Sequence, residues 1–370
     1  MFFRSKLKLL RRFSEKTTQT FDKVRLINSH STNIHENLAL ESFIFRECEL
    51  EYPTMLVWRN SKTIVIGKHQ NPFKECYMNR INQDGIILAR RKSGGGAVYH
   101  DLGNSIFSFL TPVFDPNLGP FDTKKDNNEV ILDALSTLGI QGEISGRNDL
   151  ELEGRKFSGS AYEIDLGGKY KRKKALHHGT LLLDVNFQDL WKYLNPNKKK
   201  LESKGVDSVI SRVVNLCEVV PDLDHLKIQQ ALFEAFKRRF AGCEFIEEEV
   251  HSPLEVDPKV KEIYDGLTSK DWVLGETPDF TYNLEKKFDW GLIDVFVKVR
   301  KGKIIGGKVF SDCLVPEVID WMNYEIDSKA HEYSVEGVDF FCEIVKGRFF
   351  GDEAAQGMVD DVKGWWLEEI

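Results

Sequence analysis

The sequence predicts an α+β protein, with a large mixed or antiparallel sheet flanked by helices and a small α+β C-terminal domain. Two observations carry this prediction. Short apolar, strand-like runs come in groups and do not alternate one by one with helical segments, which is the pattern of α+β folds. The chain has 370 residues, 41% of them hydrophobic and 29% charged, which suffices for two packed domains at roughly 150 residues each.

The first part of the chain opens with a predicted helix over residues 33–49, where apolar residues recur at helical spacing. Two apolar strands at 54–59 and 63–67 are separated by a short polar segment, which predicts a hairpin. The basic run at 169–174 is predicted to be a solvated hairpin tip. The other predicted elements are strands at 85–89, 105–110, 143–145, 150–153, 157–165 and 175–184 and helices at 127–138, 187–194 and 225–240.

An acidic, loop-like segment at 241–256 predicts a boundary between two domains. Beyond it the pattern predicts a helix, three strands with tight turns and a helical tail. These elements cover residues 257–267, then 280–289, 292–300 and 303–311, and finally the residues from Pro316 onward. We therefore divide the chain into a leader (1–22), a large domain (23–246), a linker (247–256) and a small C-terminal domain (257–370).

Residues 1–20 differ in charge from the rest of the chain. They hold six cations and one acid, whereas the whole chain has a formal net charge of −7. A basic leader with Ser, Thr and spaced apolar residues is typical of a mitochondrial transit peptide, and a disordered basic tail is the alternative. We therefore expect the protein in the mitochondrial matrix.

The composition of the remaining chain argues against several classes of protein. No run of about 18 apolar residues occurs, so no membrane-spanning helix is predicted. An acidic body argues against nucleic acid as a partner, because a phosphate backbone needs a basic surface. The six cysteines include no Cys-x-x-Cys pair, which argues against a zinc or redox framework and favours reduced thiols.

The most informative segment is residues 90–104, RRKSGGGAVYHDLGN, which directly follows an apolar strand. Consecutive glycines let a backbone approach a ligand closely, and their N–H groups can form an anion-binding concavity. The neighbouring cations add positive charge, and arginine can grip a phosphate or carboxylate with two hydrogen bonds. The spacing matches neither a phosphate loop nor a dinucleotide fingerprint. An anionic ligand is therefore predicted, outside the common nucleotide folds.

Three further segments concentrate Gly, Ser, cations and His, at 145–149, 154–161 and 177–180. Such residues weaken sheet propensity, and proteins tolerate them mainly where a ligand or another backbone comes close. Because several of these clusters fall in one sheet region, we predict a single pocket.

These segments resemble the lipoate–protein ligase and lipoyltransferase family, above all its bacterial two-domain members. The resemblance covers the chain from about Arg25 to the C-terminus. It is carried by the strings RRKSGGGAVYHDLGN at 90–104, GRND at 146–149, RKFSGSA at 155–161 and HHGTLL at 177–182. It implies a biotin/lipoate ligase-like large domain, related to the class II synthetase cores, and a small accessory C-terminal domain.

The resemblance implies an ATP-dependent ligase. Lipoate's carboxylate would attack the α-phosphate of Mg²⁺-bound ATP to give lipoyl-AMP, and a lysine of a lipoyl domain would then take the lipoyl group as an amide. ATP and lipoate are substrates here, and no tightly bound cofactor is implied. The expected acceptors are the acyltransferase subunits of 2-oxoacid dehydrogenases and the glycine-cleavage carrier protein, with no nucleic-acid or membrane partner. The family also implies a monomer.

Site residues are carried over from the matching motifs. Lys156 is the expected catalytic residue, in contact with both the lipoyl carbonyl and the AMP phosphate. The residues expected to hold ATP or the adenylate are Arg91, Gly96, Ala97, Val98, Tyr99, Lys156, Lys204 and Arg212. Those expected to hold lipoate are Lys156, Ser93, Gly94, Gly95 and His100.

Asn104, Asp149 and His178 are supporting polar candidates. Asn104 and Asp149 could lie near the phosphate or Mg²⁺, or could instead cap loops, as Asx side chains often do. His177 and His178 point to opposite faces of a strand and cannot easily share a metal, so no protein-held metal site is predicted. We expect these histidines to form structural hydrogen bonds, with a general base for the acceptor lysine as the alternative.

Other functions remain open at the level of sequence. A lipoyl amidotransferase would use the same pocket with preformed lipoyl-AMP or a lipoylated carrier protein. The loop 198–213 keeps a ligase-like pattern, which favours activation of free lipoate. Biotin–protein ligase and octanoyltransferase are more distant alternatives, since the first carries a different Gly-rich signature and the second a transfer cysteine. A non-catalytic scaffold is disfavoured because Lys156 and the three glycines are present.

Overall fold

The computed structural model describes residues 21–113, 120–146, 149–165, 173–195, 213–275, 280–311, 313 and 315–370. Three β-sheets organise these residues, and helices pack on them. The α+β prediction is confirmed, with a large mixed sheet and a small antiparallel sheet in the C-terminal part. No helix in the described ranges is long and apolar enough to cross a membrane.

The largest sheet has eight strands in the order β11-β1-β2-β6-β10-β9-β8-β7. Strand β1 pairs in parallel with both β11 and β2, whereas β6 to β10 pair in antiparallel fashion. The strands are β1 (Lys23–Ser29), β2 (Thr54–Trp58), β6 (Asn104–Val113), β7 (Glu143–Ser145), β8 (Asp149–Leu152), β9 (Arg155–Asp165), β10 (Lys173–Leu182) and β11 (Glu244–Val250).

A second sheet of three strands, β3 (Thr63–Ile66), β4 (Ile87–Arg90) and β5 (Val98–His100), lies beside the first. The predicted hairpin between 54–59 and 63–67 is therefore wrong, because β2 and β3 belong to different sheets. Asn60 explains why the chain passes from one sheet to the other between β2 and β3. It is fully buried, accepts a hydrogen bond from Asn37 at 3.1 Å and lies 3.0 Å from His100 Nδ1. These tertiary contacts keep the segment between β2 and β3 from closing into the tight turn that its local sequence favours.

Strand β11 corrects the prediction that residues 241–256 form an irregular acidic loop. Its glutamates face cations on neighbouring elements: Arg25 lies 2.6 Å from Glu248, and Lys237 lies 2.7 Å from Glu247. The predicted division at 246/247 falls inside this strand. The N–H of Glu244 also donates to the carbonyl of Asp22, so the last residue of the predicted leader is joined to the folded part.

Helices cover both faces of the large sheet. The helix α1 begins after Asn33, whose side chain accepts from the N–H groups of the first turn, as an N-cap does. The helices are α1 (Ile34–Arg46), α2 (Pro72–Glu75), α3 (Met78–Gln83), α4 (Pro120–Thr137), α5 (Phe187–Tyr193), α6 (His225–Arg239), α7 (Pro258–Thr268), α8 (Pro316–Ser328), α9 (Val335–Lys346) and α10 (Glu353–Glu369).

The C-terminal part joins the large part through packed elements. Helix α7 packs on α1, and its Val260 and Leu267 lie in the same apolar cluster as Ile34 and Leu38. A single π-helical turn, Asp271–Gly275, follows α7. The antiparallel sheet of β12 (Phe280–Phe288), β13 (Gly291–Arg300), β14 (Lys303–Ser311) and β15 (His331–Glu332) then carries α8 to α10. The helix predicted to open the small domain thus packs on the large one.

Candidate active site

The predicted segments meet at a cavity of about 170 Å³ between α1, the large sheet and the chain between β4 and β5. Two rows of directly paired residues cross the sheet beneath this cavity, and we call them the cavity floor. The rows are Gly159, Thr180, Ile106 and Trp58, and Ala161, His178 and Ser108. Paired residues of adjacent strands share a face, so strand register places both rows together. Apolar side chains of α1 also line the cavity.

Arg91 fixes the glycine-rich loop, residues 93–97, through hydrogen bonds to its carbonyl oxygens. The buried guanidinium donates to the carbonyl oxygens of Gly94 and Gly96 at 2.7 and 2.8 Å, and to that of Val65 at 3.2 Å. Burial lowers the pKa of Arg91 to about 10, which leaves the group charged at neutral pH. Arg91 lines the cavity, but these bonds also make it the support of the loop.

Two positions in this region require glycine. Gly95 has a positive φ of 97°, and a Cβ there would lie 2.7 Å from Arg91 Nη2. A Cβ on Gly67 would lie 2.3 Å from the Gly95 carbonyl oxygen. Within the described ranges, the N–H groups of Gly95 and Gly96 have no hydrogen-bond acceptor. Free N–H groups in such a loop can bind an anion.

Lys156 lies at the edge of the same cavity. Its Nζ is 2.9 Å from Asp149 Oδ1, and a little over a third of its side chain is exposed. The side chain passes over Gly159, where a Cβ would lie 2.9 Å from Nζ. Its main chain is fixed, because Val214 N–H donates to the Lys156 carbonyl at 3.0 Å. A fixed backbone with an accessible amine lets Lys156 exchange Asp149 for an anionic ligand.

A buried hydrogen-bond network forms another part of the wall. Ser93 Oγ lies 2.7 Å from His178 Nε2, and His178 Nδ1 lies 2.9 Å from the carboxylate of Glu41. Ser108 Oγ–H donates to the same carboxylate, and Trp58 Nε1–H donates to Ser108. With Nδ1–H donating to Glu41, Nε2 is left to accept from Ser93. The network therefore fixes the tautomer and orientation of His178.

His100 is held neutral beside the loop. Burial, and then the charge of Arg91, lower its pKa to about 3. The Asn60 amide donates to Nδ1 at 3.0 Å, so the neutral ring carries its proton on Nε2. Nε2 has no hydrogen-bond partner in the described part of the chain, and His100 lines the cavity. It can therefore offer one donor to a bound molecule.

The structure brings together most of the predicted residues, though not all line the cavity. Those that line it are Arg91, Gly96, Ala97, Val98, His100, Lys156 and His178. Ser93 lies behind the cavity at a smaller second one, and Gly94 and Gly95 complete the loop. Tyr99 is buried on the opposite side of β5, where its ring stacks on Tyr193, and burial raises its pKa.

Asn104 is placed as a turn residue. It is fully buried, and its Oδ1 accepts from the N–H of Asp101 at 2.9 Å. This geometry agrees with the loop-capping alternative. Lys204 and Arg212, together with most of the loop 198–213, lie outside the described residues, as do Arg147 and Asn148 of the GRND string.

Sequence reasoning missed Glu41, Trp58, Asn60 and Ser108. Only Glu41 left a signal, because it is a carboxylate among the mostly apolar residues that the helix α1 buries. Such a residue needs a buried partner, which here is His178. The other three owe their place at the site to strand register and to the segment that joins the two sheets.

Comparison with known proteins agrees with this geometry. The family model described as "Lipoyl protein ligase A/B catalytic domain" matches residues 33–237, and "Bacterial lipoate protein ligase C-terminus" matches 277–335. A protein of Psychrobacter cryohalolentis named lipoate-protein ligase A is 38% identical, covering 94% of this chain and 99% of its own. One of the same name from Bdellovibrio bacteriovorus is 41% identical, covering 84% and 89%.

Among solved structures, P. falciparum LipL1 in complex with lipoate is similar with a TM-score of 0.58 and 30% identity, covering 94% of this chain and 99% of that one. A bi-partite lipoate protein ligase of Thermoplasma acidophilum, described with its E2 lipoyl domain, has a TM-score of 0.60 and 25% identity, covering 70% and 98%.

Fold and site thus define an acyl-activating ligase, with a largely apolar cavity that leads to a cationic, N–H-rich loop. More specifically, this chain belongs to the lipoate–protein ligase family of ATP-dependent enzymes.

Proposed function

We propose that the cavity binds the lipoyl chain and that the glycine-rich loop and Lys156 hold the carboxyl group and the phosphate of ATP. The observation that carries this proposal is that three features meet at one place: an apolar cavity, loop N–H groups with no acceptor among the described residues, and an accessible lysine amine. The family's substrates carry complementary groups, since lipoate has an apolar chain and a carboxylate and ATP has phosphates.

In the first step the lipoate carboxylate attacks the α-phosphate, forming an acyl–phosphate anhydride and releasing pyrophosphate. Both reactants are anionic, so the protein's main contribution is positive charge placed in advance. Lys156 can supply it by leaving Asp149, and the N–H groups of Gly95 and Gly96 can bind phosphate oxygens. The Arg91 guanidinium keeps the loop in this shape while adding its own charge.

In the second step the amine of an acceptor lysine attacks the lipoyl carbonyl, and AMP leaves. Negative charge builds on the carbonyl oxygen in this step, where Lys156 and the neutral His100 can donate hydrogen bonds. Lipoate ligases act on lipoyl domains, and we propose those of 2-oxoacid dehydrogenases and the glycine-cleavage carrier protein as acceptors, with the ligase as a monomer. We propose that Mg²⁺ arrives bound to the ATP phosphates.

The full chain should be incubated with Mg-ATP, lipoate and an apo lipoyl domain, following pyrophosphate release and the mass of the acceptor. A parallel reaction replaces ATP and lipoate with lipoyl-AMP. We expect product in both reactions, and loss of pyrophosphate release when EDTA removes Mg²⁺. Product only from lipoyl-AMP would contradict lipoate activation by this chain.

We also propose that the protein works in the mitochondrial matrix, on the basis of the basic, Ser/Thr-containing composition of residues 1–20. Residues 1–22 fused to a fluorescent protein should direct it to mitochondria. Replacing the leader arginines with glutamine in the same fusion is the control and should abolish targeting. Diffuse fluorescence from the unaltered leader would contradict the proposal.

A further inference from the structure

Arg90 precedes the loop-supporting Arg91, yet it does not point into the cavity. Its side chain is fully buried at the junction between β4 and the π-helical turn Asp271–Gly275. The guanidinium donates to the carbonyl oxygens of Trp272 and Val273, at 3.1 and 2.8 Å. In return, Trp272 Nε1–H donates to the Arg90 carbonyl at 2.8 Å. Each side of this contact therefore both donates and accepts hydrogen bonds.

The same guanidinium also fixes a turn beside the active site. Its Nη1 donates to the carbonyl oxygens of Lys68 and Gln70 at 2.8 and 2.7 Å, and approaches that of Gly67 at 3.3 Å. A fully buried guanidinium needs acceptors for its several N–H groups, since an unsatisfied charged group is expensive to bury. Carbonyls on both sides, from residues 67–70 and 272–273, meet that need.

The 67–70 turn also contacts the glycine-rich loop. Lys68 N–H donates to the Ser93 carbonyl at 2.9 Å, and Gly67 approaches the Gly95 carbonyl so closely that a Cβ would lie 2.3 Å away. Three steps therefore connect the π-helical turn to the loop: Trp272 to Arg90, Arg90 to the 67–70 turn, and that turn to Ser93 and Gly95. None of Arg90, Trp272 and Val273 lines the cavity.

We propose that Arg90 is a positioning residue for the glycine-rich loop, and that Trp272 and Val273, which lie beyond the predicted domain boundary, complete the active site by holding Arg90. The C-terminal part of the chain thus contributes to ligand binding without touching the ligand. Isolated π-helical turns are often found at functional sites, and here the turn directs two successive carbonyls at one guanidinium. This proposal rests on the ligase function for its kinetic readout only.

Trp272→Phe is the sharpest test, because it keeps an aromatic ring and removes only the Nε1–H bond to Arg90. Opening of the contact should become roughly three- to tenfold more frequent, the effect of one lost hydrogen bond. Hydrogen exchange of the Gly67, Lys68 and Gln70 amides in the substrate-free protein should rise by that factor. The KM for ATP in lipoyl-AMP formation should rise similarly, with a smaller change in kcat.

Trp290→Phe is the matched control, because Trp290 Nε1–H donates at 2.8 Å to Asp361 within the C-terminal part, away from the loop. It should leave exchange at 67–70 and the KM for ATP unchanged. Arg90→Lys should exceed Trp272→Phe in both readouts, since lysine has fewer donors. If Trp272→Phe lowers only the melting temperature and matches Trp290→Phe in exchange and KM, the proposal is wrong. Because exchange is measured without substrate, it separates this failure from failure of the ligase function.

Discussion

Two sides of the cavity differ in how firmly their polar groups are held. On one side, Ser93, His178 and Glu41 are buried and joined by hydrogen bonds of 2.7 to 3.0 Å. On the other, Lys156 and Asp149 form an ion pair in which each side chain is about a third exposed. The first side is built to keep one arrangement, and the second can change partner.

This difference teaches how one site can both select a ligand and react with it. Buried, satisfied networks are rigid, because every alternative leaves a polar group without a partner in a poorly solvated place. A partly exposed ion pair contributes little stability, so its loss to an incoming anion costs little. Disruption of the buried side should therefore lower stability, whereas disruption of the exposed side should lower the reaction rate.

Lys156→Ala should have the largest effect. Loss of one preorganised charge at the reacting groups should lower kcat/KM for lipoyl-AMP formation by about 10²–10³-fold, with little change in urea stability. Rapid-quench measurement of both half-reactions checks this. Arg155→Ala is the control, because it removes a cation of the same strand that pairs with Glu218 at the surface. A Lys156→Ala enzyme that transfers from lipoyl-AMP at the wild-type rate would remove Lys156 from the second step.

Glu41→Gln should have the opposite signature. Its amide would place a donor where His178 and Ser108 both need an acceptor, so the free energy of unfolding should fall by about 1–3 kcal/mol. Urea denaturation checks this, with the exposed Glu49→Gln as control. An unchanged midpoint for Glu41→Gln would show that the buried network does not hold this side of the cavity.

Sequence reasoning was most successful where the chemistry is local. The glycine-rich loop and Lys156 could be predicted because consecutive glycines, neighbouring cations and a matching motif lie within a few positions. Glu41 could not be assigned to the site, because its partner His178 is 137 residues away along the chain. Only the packing of helix α1 on the large sheet, which the sequence does not reveal directly, brings the two together.

Tertiary partners explain the other errors. The basic run 169–174 was predicted as a solvated tip, yet Lys174 is buried and donates to the Phe45 and Cys48 carbonyls at the end of α1, where helices leave carbonyls unpaired. The rest of that run at 169–172 lies outside the described residues. Strand β11 was missed because its glutamates resemble a solvated loop until cations such as Arg25 lie opposite them.

Acid should lower the free energy of unfolding, because the protein buries a neutral histidine. Burial lowers the pKa of His177, which is enclosed by Phe107, Phe109 and Tyr162, to about 3. Because this folded-state pKa lies below the unfolded value near 6.5, the unfolded chain takes up the proton first, and stability falls as pH drops from about 6.5 toward 3. At pH 5 one such histidine costs about 2 kcal/mol.

Urea denaturation at pH 7 and pH 5 measures this loss. His177→Leu should reduce the difference between the two pH values, whatever its effect at pH 7, because it removes one group that must stay neutral. His30→Leu is the control, since His30 is partly exposed and paired with Glu249. Equal pH dependence in wild type and His177→Leu would show that His177 does not set it.

Gly159→Ala should have the smallest effect and most directly separates rate from stability. The new Cβ would lie 2.9 Å from Lys156 Nζ and 3.0 Å from Cε, so the flexible end of the lysine must move. Because Gly159 has ordinary strand geometry and a side-chain tip yields easily, the melting temperature should change little. The displaced amine should lower kcat/KM about tenfold, the effect of roughly 1.4 kcal/mol of lost stabilisation.

Gly179→Ala is the contrasting variant, because its Cβ would meet the Gly159 carbonyl oxygen at 2.7 Å and Phe107 at 2.6 Å, and so should lower stability as well as activity. If Gly159→Ala instead destabilises the protein as much as Gly179→Ala, the Lys156 side is as rigid as the buried one, and the contrast between the two sides of the cavity does not hold.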